Sequence, residues 1–115
     1  SYRPNYYSKI NPSWDWKHKA PDGNRPLPVA DTALDLAAAM RENPRLKVLS
    51  ANGYYDMATP FTGAEYDLAH MQLDASLRPN VSFTYYPAGH MFYIEPGSLA
   101  AFRTDLLRFY DSATR

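Results

Sequence analysis

Two short runs set the limits on what this chain can fold into. Residues 46–51, Leu-Lys-Val-Leu-Ser-Ala, are mostly apolar, and residues 81–86, Val-Ser-Phe-Thr-Tyr-Tyr, are β-branched or aromatic at most positions. Both read as strands. Between them, residues 60–75 read as a helix: Phe61, Ala64, Leu68 and Met71 share one face, Pro60 suits a first turn, and Thr62 with Glu65 has capping-box spacing. A helix also precedes the first strand, over residues 31–42. There Asp31 or Thr32 can cap an Ala-rich run that Asn43-Pro44 ends. A third follows the second strand over residues 98–110, with Ser98 as a possible cap and Leu99, Phe102, Leu106 and Phe109 on one face. Helix, strand, helix, strand, helix is an α/β pattern with parallel strands and right-handed crossovers. Two strands make a very small sheet, and parallel sheets are normally wider and covered on both faces. The expected fold class is therefore α/β but not a complete domain: two parallel strands, three helices and an aromatic arm, the last portion of a larger α/β unit.

The arm covers residues 1–29. Pro4, Pro12, Pro21, Pro26 and Pro28 exclude a helix, and Asp22-Gly23-Asn24 is a turn signal. Tyr2, Tyr6, Tyr7, Ile10, Trp14 and Trp16 give it enough apolar area to lie against another surface rather than hang free. Residues 30–115 form the second unit. Twelve basic side chains balance twelve acidic ones, which argues against a nucleic-acid partner held by a basic face. No apolar run approaches the ~20 residues of a membrane helix, and the polar start at Ser1 is not a signal peptide. Without cysteine there is no disulfide, thiolate metal site or thiol nucleophile.

In an open α/β sheet, reactive groups collect beyond the carboxyl ends of the strands. Asp56 follows the first strand and His90 the second. Adjacent parallel strands would bring both to one rim. There an Asp accepting from one imidazole nitrogen leaves the other free as a general base. In α/β-hydrolases the chain order is nucleophile, acid, His, and this chain offers the last two. No Gly-x-Ser-x-Gly elbow occurs; Ser50 lies inside a strand and Ser98 reads as a cap. The plainer alternatives are a turn Asp bonding nearby amides and a solvated loop His. A zinc site from Asp56, His70 and His90 lacks a helical two-His spacing, so no metal and no cofactor is expected. His70 reads as a surface helix residue and His18 as a loop residue. Trp14 and Trp16 suit burial against another part of the parent domain more than stacking on a ligand.

The segment Val48-Leu49-Ser50-Ala51-Asn52-Gly53-Tyr54-Tyr55-Asp56, with Ala58-Thr59-Pro60-Phe61 after it, resembles the acid-bearing segment of serine carboxypeptidases. Ala88-Gly89-His90-Met91 resembles that family's histidine segment, and Trp14-Asp15-Trp16 and Met40-Arg41-Glu42-Asn43-Pro44 resemble bacterial members. The resemblance spans nearly the whole chain but only the C-terminal part of a family member. It implies the C-terminal portion of an α/β-hydrolase fold, with Asp56 as triad acid, His90 as general base and Met91 lining the pocket for a peptide's terminal residue. It further implies a partner, the N-terminal segment carrying the nucleophilic Ser, and a secreted or periplasmic location. The chain alone should then have no carboxypeptidase activity. A cut sheet leaves an unpaired edge and uncovered faces, so the isolated chain is expected to form a homo-oligomer. The alternative is a non-catalytic module, derived from such a hydrolase, that self-associates or binds a ligand through its aromatic arm.

Overall fold

A computed structural model describes residue 15, residues 17–19 and residues 31–114. The expectations for the aromatic arm, including Trp14 and Trp16, lie almost wholly outside the described residues.

The described chain is mixed α/β, with three α-helices and a two-stranded parallel sheet. Helix α1 spans Ala33–Glu42, strand β1 Val48–Gly53, helix α2 Phe61–His70, strand β2 Val81–Tyr86 and helix α3 Pro96–Ala113. Single 3-10 turns, Arg78–Asn80 and Phe92–Ile94, precede β2 and α3. The strands pair in register from Val48↔Val81 to Gly53↔Tyr86.

Side chains alternate across a sheet, so Val81, Phe83 and Tyr85 share one face and Tyr86 takes the other. On the first face, Val48 and Val81 pack on a core of Ala37 and Met40 from α1 with Met71, Leu73 and Leu77. Phe61 of α2 meets Tyr85 edge-on at 5.8 Å. On the second face, Tyr86 stacks on Phe92 at 4.6 Å and meets Phe102 of α3 edge-on at 5.7 Å. Its hydroxyl donates to Asp105 of α3 at 3.0 Å. Helices thus cover both faces, while each strand has only one strand neighbour among the described residues.

Helix boundaries depart from the sequence reading for local reasons. In α1, Thr32 takes the N-cap position without a side-chain bond, and Asp31 Oδ1 accepts from the Ala33 N–H at 3.0 Å instead. Asp35 in the first turn and Arg41 in the last match the helix dipole. Helix α2 stops at His70, short of the expected residue 75. Gln72 turns into the left-handed region at φ 56°, and its carbonyl accepts from Arg41 at 2.8 Å. Ending there lets Met71, Leu73 and Leu77 all turn inward, which a continuing helix would forbid. The capping box does not form either: Pro60 is the N-cap residue, and Glu65 instead accepts from the Tyr85 hydroxyl across to β2.

Helix α3 begins earlier than expected. Glu95, not Ser98, is its cap, accepting from the N–H groups of Gly97 at 3.0 Å and Ser98 at 2.5 Å, with Pro96 in the first turn. Those amides, Ser98's first, hold the Glu95 carboxyl below its ordinary range. Ser98 itself is buried; its hydroxyl lies beside Glu95, favouring the carboxylate, yet is not in good bonding geometry. No described helix is long and apolar enough to cross a membrane.

Candidate active site

Strand β1 runs two residues beyond the expected boundary, to Gly53, and this extension builds the site. Asn52 and Gly53 resemble a turn in sequence, but both lie in the ladder, opposite Tyr85 and Tyr86. The Asn52 side-chain amide donates to the Ser50 carbonyl at 3.0 Å and the Thr84 carbonyl at 3.3 Å, bridging the strands. At Gly53 the β1 backbone runs so close to the histidine loop that a Cβ would stand 2.2 Å from the Gly89 oxygen and 2.6 Å from the Ala88 oxygen. Only glycine fits there.

Hydrogen bonds continue past the strand ends. The Tyr54 N–H donates to the Tyr86 carbonyl at 2.9 Å, and the Tyr55 N–H to the Ala88 carbonyl at 3.0 Å. The two loops are therefore laid side by side before either Asp56 or His90 is reached. Asp56 then turns back, its N–H bonding the Gly53 carbonyl at 3.2 Å.

Asp56 Oδ2 and His90 Nδ1 stand 2.8 Å apart. Asp56 is buried, 8% exposed, whereas the His90 side chain is 62% exposed. Every acceptor site of the carboxylate is engaged. Oδ1 accepts from the N–H groups of Ala58 and Thr59, each at 2.8 Å, and Oδ2 accepts from the Thr59 hydroxyl at 2.8 Å as well as facing the imidazole. The Thr59 amide is the largest influence holding the carboxyl far below its ordinary range. Partial burial pushes the other way, and His90, the Thr59 hydroxyl and the Ala58 amide add to the lowering. Asp56 thus bonds turn amides through Oδ1 and faces an imidazole through Oδ2. With an ionised carboxylate on Nδ1 and a largely exposed ring, the imidazole can accept a proton at Nε2 from a group docking there.

Met91, expected at a substrate pocket, is 52% exposed directly after His90. Tyr54, Tyr55, Met57, Tyr93 and Ile94 are also exposed on the same two loops, so the described rim is largely apolar, and neither loop carries a Lys or Arg. His70 is not part of this group. Its Nδ1 bonds the Tyr66 carbonyl at 2.7 Å, its ring stacks on Tyr66, and no cluster of three metal-ligating side chains occurs among the described residues. His18 is more than a loop residue: its Nε2 lies 2.5 Å from Asp35 Oδ2, tying that segment to α1.

Sequence reasoning missed Thr59 and the close approach at Gly53. For Thr59 the available signal was its position three residues after an Asp, where a hydroxyl and an amide can both turn back to the carboxylate. For Gly53 it was a glycine at a strand end, which marks close backbone approach as readily as a turn. Compared with protein-family models, with curated proteins and with solved structures, the chain matches none.

Proposed function

We propose that this chain supplies the acid and the general base of a Ser-Asp-His triad, as the C-terminal part of a serine-type carboxypeptidase with an α/β-hydrolase fold. The observation that carries the reading is the 2.8 Å contact between Asp56 Oδ2 and His90 Nδ1 at the carboxyl ends of adjacent parallel strands, with the imidazole largely exposed. The motif resemblance around Gly53-Tyr54-Tyr55-Asp56 and Gly89-His90-Met91 supplies the choice of peptidase.

In this reading His90 Nε2 takes the proton of a serine hydroxyl carried on another stretch of polypeptide as that oxygen attacks the last peptide carbonyl. The proton then passes to the leaving amine, and an acyl-enzyme remains. Water attacks the ester next; His90 takes its proton and returns it to the serine. Asp56 stays ionised throughout, held by its amide and hydroxyl donors, and stabilises the imidazolium. Met91 contacts the substrate's terminal residue.

The test is reassembly with the segment bearing the nucleophile. The assembled protein should label with a fluorophosphonate probe and release C-terminal residues from N-blocked dipeptides, while the chain alone does neither. His90→Ala should cut the rate by a factor on the order of 10⁴ or more, and so should Asp56→Asn. Hydrolysis that survives His90→Ala would overturn the assignment.

A second reading, a self-associating module without catalysis, draws on the outer strand edges, which have no strand neighbour among the described residues, and on the exposed apolar rim. It predicts a stable homo-oligomer in ultracentrifugation and no probe labelling in any assembly.

A further inference from the structure

We propose that Thr59 is a positioning residue that sets the tautomer of His90. The inference rests on the reading of Asp56 and His90 as a proton-transfer pair and adds a third side chain to it. Thr59 reaches the pair through three contacts. Its N–H donates to Asp56 Oδ1 at 2.8 Å, its hydroxyl donates to Oδ2 at 2.8 Å, and Oγ1 lies 3.3 Å from His90 Nδ1.

A hydroxyl has one proton and two lone pairs, whereas an ionised carboxylate can only accept. The Thr59 proton is therefore committed to Asp56, and what Oγ1 turns toward the imidazole is a lone pair. Asp56 Oδ2 also turns a lone pair to the same nitrogen at 2.8 Å. With two acceptors facing it, Nδ1 must carry the hydrogen. The neutral ring is then the Nδ1–H form, and the basic lone pair sits on Nε2 at the exposed side, where a general base needs it.

The hydroxyl also completes the grip on the carboxylate. Oδ1 is anchored by two backbone amides, while among the described residues Oδ2 has Thr59 as its only donor besides the imidazole. Pro60 follows directly and restricts the Thr59 backbone to extended conformations, which helps keep the hydroxyl in place.

The test is imidazole ¹⁵N–¹H correlation NMR on the full chain, at a pH where His90 is neutral. The native chain should show the Nδ1–H form with a low-field Nδ1 proton. Thr59→Val keeps the shape and removes the hydroxyl; it should lose the low-field proton and move His90 toward the Nε2–H form that an unconstrained histidine side chain prefers. Thr59→Ser should restore both. A role limited to packing predicts the reverse grouping, with Val behaving as native and Ser disturbed, and that result would overturn the proposal. Thr59→Ala gives the same discrimination should Val disturb the backbone amide spectrum. Asp56→Asn separates the two levels. Loss of the signal in Asp56→Asn but not in Thr59→Val or Thr59→Ala refutes the Thr59 role and leaves the pair standing. An imidazole unmoved by Asp56→Asn refutes the pair itself.

Discussion

Gly53→Ala is the most demanding perturbation of this architecture, because it adds one methyl group where two backbones touch. The new Cβ would sit 2.2 Å from the Gly89 oxygen and 2.6 Å from that of Ala88. Carbon and carbonyl oxygen do not approach closer than about 3.3 Å without penalty, so the histidine loop must retreat by roughly 1 Å. Backbone is the obstacle, and no side chain can swing aside to absorb the change. A retreat of that size opens the 2.8 Å contact between Asp56 and His90 beyond hydrogen-bonding range, since His90 directly follows Gly89. Overpacking of this kind costs about 1–3 kcal/mol. For a chain of this size each kcal/mol lowers the melting midpoint by roughly 4 °C. Two assays read the two effects: a thermal melt for stability, and the low-field Nδ1 proton of His90 for the contact. Gly89→Ala is the control, because a Cβ there meets nothing nearer than the Tyr55 oxygen at 3.9 Å, and it should leave both readouts in place. A Gly53→Ala chain that melts with the native protein and keeps the Nδ1 proton would refute the claim that this close approach positions the pair.

Other perturbations have equally definite signs. Gly63 lies inside α2 with open space where a Cβ would go, so Gly63→Ala should raise stability by about 0.4–1 kcal/mol in urea titration; a destabilised variant would show that the helix is not formed as described. Acid should unfold the protein partly through Asp56. Its folded carboxyl is depressed, so its stabilisation is complete above the ordinary value of 3.8 and drains away as the pH falls from there through the lower folded value. Asp56→Asn should therefore show a shallower loss of stability below about pH 4, with the depressed Glu95 still contributing in that region; an unchanged acid slope would refute the assignment. Alkali acts through Tyr85, whose hydroxyl is pushed up to about 12, first by its bond to Glu65 and then by burial. That contribution is intact below the ordinary tyrosine value of 10.0 and is lost as the pH rises toward about 12, so Tyr85→Phe should flatten the stability profile there, as followed by denaturant midpoints.

What the sequence made legible follows from how local each signal is. Strand β2 coincides with its β-branched and aromatic run because every residue in it favours extended backbone and none suggests a turn. Strand β1 was read two residues too early because Asn52-Gly53 carries turn chemistry. In the fold, the Asn52 amide finds the Thr84 carbonyl on the next strand and Gly53 is needed for a contact with Gly89, and neither partner is near in sequence. The same limit hid the end of α2, where the pull comes from a core that Met71, Leu73 and Leu77 complete with α1. At the start of α3, Glu95 won over Ser98 because a carboxylate three residues earlier reaches two amides while the shorter hydroxyl turns inward. Asp56 and His90 were legible because strand ends in a parallel sheet are where the chain must turn and where polar groups remain accessible. Thr59 was not, because its distinguishing contact is with a residue 31 positions away.

The geometry of the pair and the stability of the fold draw on different parts of the molecule. Asp56 lies three residues beyond Gly53 and His90 four beyond Tyr86, and those two residues are the last rung of the ladder. Two further backbone bonds, to the carbonyls of Tyr86 and Ala88, carry the alignment almost to the pair itself. Only two neighbouring strands are needed to set the distance between Asp56 and His90, and both belong to this chain. Stability has no such local source. Among the described residues the buried apolar set of the first face is Ala37, Met40, Met71, Leu73 and Leu77, with Tyr86 and Phe92 buried on the other, which is little for a sheet whose strands each have one strand neighbour there. A further strand paired to β1, or a surface laid over the apolar rim, would add burial without entering the loops that fix Asp56 and His90. Binding of a complementary segment should therefore raise the melting midpoint while leaving the Nδ1 proton of His90 where it is in the isolated chain; a resonance that forms only on binding would mean that the pair is assembled by the partner and not by the register of β1 on β2.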